Sequence, residues 1–105
     1  MPQIILKNIG RETAVSLAPM IAETTAEIIS VPANHIVVEY SEVSFFRGGV
    51  EDKESAMAWI YWKKRTPDLQ KAVADALGEI LLKAGFAKAE IVYSNLDMND
   101  FYEYE

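Results

Sequence analysis

The stretch from Met57 to Lys63, MAWIYWK, is apolar at nearly every position, where a half-exposed strand would alternate. An aromatic-rich run of this kind predicts a central strand covered on both of its faces. Close behind it, Thr66-Pro67-Asp68 is the clearest local signal in the chain. It offers an N-cap hydroxyl, a proline at the first helical position and an acid beside the positive helix end. Leu69, Val73, Leu77, Ile80, Leu81 and Ala84 then trace an apolar stripe at helical spacing, up to Gly85 as a left-handed terminator. Ala89 to Ser94, AEIVYS, reads as the next strand. Residues 57 to 94 therefore form one strand-helix-strand unit.

The first half of the chain repeats the pattern. Gln3 to Ile9, QIILKNI, is a strand closed by Gly10, and Thr13 to Ser30 is an amphipathic helix with Leu17, Ile21, Ile28 and Ile29 near one stripe. Pro19 should kink that helix or move its start nearer Ala18, because proline lacks the backbone N–H. Val31-Pro32 ends it. Ile36 to Val43, IVVEYSEV, places Ile36, Val38 and Tyr40 on one face of a second strand. Gln3 and Ile36 are separated by 33 residues, as are Met57 and Glu90. Between the halves, Ser44 to Val50 predicts a hairpin excursion around Gly48-Gly49, and Glu51 to Glu54 a solvated loop. Asp97 to Glu105 is an acidic, aromatic tail. The expected fold class is α+β: a single domain over residues 1–105, in two layers, with both helices on one face of a four-stranded sheet. An antiparallel ferredoxin-like sandwich and a mixed sheet of two β-α-β halves share this element order, and the order does not choose between them.

A length of 105 residues allows one domain. Ten basic against sixteen acidic residues give a net charge of −6, which argues against nucleic acid or an anionic membrane as partner. The absence of Cys removes disulfides, thiolate metal sites and thiol catalysis, and one His, His35, does not make a metal site. Neither a metal nor a cofactor is expected. No apolar run approaches the ~20 residues of a membrane span and Met1-Pro2-Gln3 does not open like a signal peptide, so the expected compartment is the cytoplasm.

Pro2 is the first candidate for chemistry. Removal of an initiator Met before this small residue would leave a secondary amine, able to accept a proton. The reference α-amino group titrates near 7.7 to 8.0, proline somewhat higher, and burial or a neighbouring cation would bring it toward neutrality. A chain that keeps Met1 has only an amide there.

Pro2 followed at once by a strand, then Gly10-Arg11, an amphipathic helix and a proline just before a second strand, resembles the tautomerase superfamily. Gly10-Arg11 and residues 32–43 resemble oxalocrotonate tautomerase. Phe46-Arg47-Gly48-Gly49 and Asp97-Met98-Asn99 resemble the longer branch that includes macrophage migration inhibitory factor. Pro2-Gln3, Trp62, Arg65, Gln70 and the Tyr-rich end look like a small group of uncharacterised bacterial tautomerase-like proteins. The resemblance spans nearly the whole chain. It implies a pseudo-duplicated subunit with a mixed sheet, a homotrimer packed through its sheets, and an active site at each subunit boundary. It further implies keto–enol proton transfer on a small carboxylate-containing substrate, with Pro2 as the proton shuttle. Such chemistry needs a cation for the substrate carboxylate and the developing enolate, and Arg11 matches the arginine that does this in the shorter relatives.

Two positions depart from that pattern. Val37 stands where the shorter relatives carry a second arginine, and Val31 where the longer branch carries a lysine. Lys63, Lys64 and Arg65, at the end of the third strand, are the candidates to replace the missing charge, with Lys63 and Arg65 as substrate-binding residues. Two rival readings belong to other classes. One is a non-catalytic trimer of the same fold, kept as a binding or assembly module. The other is a ferredoxin-like dimer that binds an aromatic ligand on its Trp-rich sheet.

Overall fold

β1 (Gln3–Lys7), α1 (Arg11–Ile29), β2 (Val37–Ser41), β3 (Phe45–Arg47), β4 (Val50–Asp52), β5 (Ser55–Trp62), α2 (Pro67–Lys83) and β6 (Lys88–Asn95) succeed one another in a computed structural model describing residues 1–105. Single 3-10 turns lie at Ala33–His35 and Met98–Asp100. The main sheet has the order β2-β1-β5-β6. β1 is parallel to β2 and β5 to β6, whereas the two halves meet antiparallel at β1 and β5. The mixed sheet decides against the antiparallel ferredoxin-like arrangement. Met57 stands opposite Glu90, as the repeat requires, while Gln3 stands opposite Val37, one residue beyond the spacing read from the sequence.

Both helices lie on one face. Ile4 and Leu6 of β1 and Ala56, Ala58, Ile60 and Trp62 of β5 are fully buried against Ile21 of α1 and Val73, Leu77 and Leu81 of α2. Each large side chain removed from water there contributes roughly 1.5–3 kcal/mol. The opposite face of β5 differs from expectation. Met57 and Trp59 are half-buried and Tyr61 is 39% exposed, because the chain supplies no second layer. Lys7 covers the Trp59 ring at 4.7 Å, and the indole N–H donates to Ser94 Oγ at 2.9 Å.

α1 begins at Arg11, two residues before the expected start, and continues through Pro19. Its buried positions Ala14, Ile21, Thr25, Ala26 and Ile29 hold it on the sheet on both sides of the proline, so tertiary packing outweighs the lost backbone bond. At its end Ser30 adopts φ 59°, and the Val31 N–H returns to the Ala26 carbonyl at 3.0 Å. α2 starts as its sequence demands, with Thr66 Oγ1 accepting from the Leu69 N–H at 3.3 Å and Pro67 at the first helical position.

The segment from Glu51 to Glu54 is not a free loop. Gly48 and Gly49 take φ of 59° and 82°, the turn that suits a two-residue hairpin, and Glu51 and Asp52 belong to its second strand. The Asp52 carboxylate accepts from Ser55 Oγ (2.7 Å), Arg47 Nε (2.9 Å) and the backbone N–H groups of Glu54 and Ser55. Asn8, at φ 62°, fastens this hairpin to the end of β1. Its Nδ2 donates to the Asp52 and Ser55 carbonyls and its Oδ1 accepts from the Phe45 N–H.

These bonds, the Ser55 hydroxyl first and Arg47 next, hold the Asp52 carboxyl well below the usual carboxylate range. A depressed folded value stabilises the fold above the unfolded value near 3.9, and that contribution fades as pH falls below it. Asp52→Asn is therefore expected to unfold at lower urea than the parent at pH 6, with a gap that narrows by pH 3. An equal gap at the two pH values would leave the carboxylate charge without a role.

Candidate functional site

Pro2 is fully buried immediately before β1, and its carbonyl accepts from the Val37 N–H at 3.0 Å. Gln3 pairs with Tyr61, so the register brings Pro2 opposite Trp62 and beside the Lys63–Arg65 run that leaves β5. Three of the sequence candidates, Pro2, Lys63 and Arg65, thus gather at one edge of the sheet.

Trp62 organises that edge. Its ring is fully buried and stacks on Tyr93 with centroids 4.6 Å apart and planes 22° from parallel. The Arg65 guanidinium lies 5.0 Å from the same indole ring and donates through Nη1 to the Lys63 carbonyl at 2.9 Å. Partial burial pulls the Arg65 pKa down, since desolvation disfavours the charged form. No carboxylate pairs with it: ion pairs form only at Arg47, Lys53, Lys71 and Lys83. Arg65 therefore keeps unused N–H donors for an anion. Tyr93 donates its hydroxyl to the Gln70 carbonyl at 2.7 Å, and burial pushes its pKa up to about 12, so the phenol stays neutral. The indole N–H of Trp62 is buried without an acceptor.

Met1 closes the site at the other side. It is half-buried, acylates the Pro2 nitrogen and donates its ammonium to the His35 carbonyl at 3.1 Å. Its removal would uncap a sheltered nitrogen and vacate the space beside it.

Arg11 does not join this edge within one chain. It is exposed at the start of α1, at the far end of the five-residue β1 from Pro2. At ~3.3 Å per strand residue that is a separation of roughly 16 Å or more. Two clefts lie away from this edge. One of about 630 Å³ runs between α2 and β6 along Gly78, Leu82 and Ile91, and one of about 390 Å³ lies between the helices at Leu17, Met20 and Ile80. A cleft of about 530 Å³ is lined by Lys64, Gln70, Ile91 and Tyr93, and neither Pro2 nor Arg65 lines it. No group of three His, Asp or Glu side chains is placed to hold a metal ion, and no helix is long and apolar enough to cross a membrane.

Composition alone does not reveal the Trp62–Tyr93 stack, since Trp59, Tyr61 and Trp62 read together as core or interface. Their alternation is the available sign: Trp62 shares the buried face of Ile60, and Trp59 and Tyr61 point the other way.

Two parallel β-α-β halves, joined antiparallel into a mixed four-stranded sheet with both helices on one face, make this an α+β protein of the tautomerase-superfamily fold. Within that class the chain belongs to the family described as Domain of unknown function (DUF1904), matched over residues 1–105. A crystal structure of a DUF1904 domain from Sebaldella termitidis is 26% identical, with 98% of this chain and 95% of that one covered and a TM-score of 0.89. A macrophage migration inhibitory factor-like protein from Entamoeba histolytica superposes with a TM-score of 0.73 at 18% identity, over 99% of this chain and 93% of that one. The wild-type asymmetric trimer of the fused 4-OT F6 gives 0.73 at 20%, over 97% and 90%. No curated protein matches the sequence.

Proposed function

We propose that the protein is a cofactor-independent tautomerase, a small cytoplasmic homotrimer that moves a proton between carbon and oxygen of a small 2-oxo or unsaturated carboxylic acid. Pro2 is the general base once Met1 is removed. The observation that carries this reading is a fully buried Pro2 at the head of β1, at the same end of the sheet where the paired strand β5 leads into the partly buried, carboxylate-free Arg65. The uncapped nitrogen takes a proton from the carbon next to the carbonyl, the electron pair moves to oxygen as an enolate, and the same proton is returned to oxygen. A cation beside the base keeps its conjugate acid weakly bound to the proton and holds the substrate carboxylate, so base and anchor belong together.

The uncovered sheet face supports assembly, since Trp59 and Tyr61 present aromatic surface that a neighbouring copy would bury, as a trimer is the named state of the fused 4-OT relative. Arg11 of a neighbouring copy is then the second carboxylate anchor, a role that its distance from Pro2 in one chain denies it otherwise.

Arg65→Ala is expected to raise KM for carboxylate substrates about tenfold to a hundredfold, the loss of a charge-assisted bond worth roughly 1.5–3 kcal/mol, and to move the rise of the pH profile upward. Lys63→Ala should have a smaller effect in the same direction, because an exposed ammonium is screened by water. An unchanged KM in Arg65→Ala would move the anchor elsewhere. Retention of Met1, seen as an intact mass from the native host, would favour the second reading: a non-catalytic module whose Met1 ammonium is tied to His35.

A further inference from the structure

The tail beyond β6 is rooted at this same edge. The Leu96 N–H donates to the Trp62 carbonyl at 2.7 Å, which sets Asp97 next to the start of the Lys63–Arg65 run. Asp97 then turns the chain through the 3-10 turn, its Oδ1 accepting from the Asn99 N–H at 2.9 Å. Residues 97–105 hold Asp97, Asp100, Glu103 and Glu105 and no basic residue. None of these carboxylates is in an ion pair, and neither is Lys63, Lys64 or Arg65. Tyr102 and Tyr104 stand 74% and 88% exposed. Four carboxylates outside any ion pair, on a short tether, thus begin beside three cations outside any ion pair.

We propose that the segment 97–105 is an autoinhibitory strap. Its carboxylates close onto Lys63, Lys64 and Arg65 of the same chain and compete there with the carboxylate of the substrate. The identity of the competed anion rests on the function proposed above; the contact itself does not. A tether this short gives the strap an effective concentration in the millimolar range, so a free monocarboxylate must exceed that to displace it. The contact is between exposed or half-exposed charges and weakens with salt. The strap therefore sets a concentration threshold that rises as ionic strength falls.

The test compares the full chain with a tail-neutralised variant carrying Asp97→Asn, Asp100→Asn, Glu103→Gln and Glu105→Gln. The first readout needs no ligand: the Arg65 Nε–H and Trp62 indole N–H resonances of the parent should shift on raising NaCl from ~20 to about 500 mM, and in the variant they should already sit near the high-salt positions. The second uses oxalate as the probe, followed by tryptophan fluorescence. The variant should bind it about threefold or more tightly at low salt, with the difference gone at high salt. Unmoved Arg65 and Trp62 signals overturn the strap. So does equal oxalate affinity of the two proteins, or no oxalate binding by either, since no competition then exists. The turnover assay on Pro2 variants is independent of all three results and judges the tautomerase reading by itself.

Discussion

Pro2→Ala is expected to lower turnover of phenylpyruvate and other 2-oxo acids by about 100-fold or more, the scale on which a positioned general base contributes. Initiator removal would still leave this variant with an α-amine, so the loss measures what the ring supplies. Proline fixes φ and holds its nitrogen rigidly at the head of β1, where its carbonyl is already bonded to Val37. The primary amine of the substituted residue rotates about its N–Cα bond and is less basic, and misaligned lone pairs forfeit much of the benefit of proximity. The pH profile of kcat/KM adds a second check. The unprotonated amine is the active form, so the rate should rise with pH and level off above the amine pKa. Burial or a cation close to the amine would move that point below the proline reference. Parent-like rates in the variant would count decisively against proline catalysis and leave only the fold.

The largest stability effect is expected at Trp62. Removing a fully buried indole that stacks on Tyr93 costs about 3–5 kcal/mol in Trp62→Ala. At roughly 4 °C or more per kcal/mol for a domain near this size, Tm should fall by about 12 °C or more. Trp62→Phe keeps most of the ring contact and deletes an N–H that lacks an acceptor, so its cost should stay below about 1.5 kcal/mol. Calorimetry distinguishes the two. Similar losses in both variants would mean that the indole nitrogen finds a partner in the folded protein.

Much of the architecture is legible in the sequence because local chemistry and tertiary packing agree. Thr66-Pro67 starts α2 where a cap and a fixed φ belong, and Gly48-Gly49 turns the hairpin because both residues need positive φ. The repeat exposes the two β-α-β halves, yet strand direction between them stays hidden, since sequence order carries no record of which edges pair. Pro19 misleads by its propensity alone; the buried residues around it keep the helix whole. Glu51 to Glu54 looks like a solvated run because charge says nothing of a carboxylate collecting four donors from Arg47, Glu54 and Ser55. Of the site, the placing of Pro2 at the end of the sheet where β5 leads into the Lys63–Arg65 run is within reach of the register, whereas Asn8 as a three-bond fastener is not. Resemblance gives Arg11 a role that one subunit cannot, because nine residues of chain become the full length of a strand.

The duplicated halves meet antiparallel, and this gives the molecule two opposite poles that cannot be equals. The two strands that open the halves are met differently: β1 follows the buried Pro2, whereas β5 follows the β3–β4 hairpin. At that second pole the backbone N–H of Ser55 is stoppered by the Asp52 carboxylate. The two poles of the duplication are therefore chemically unlike, although the halves share one topology.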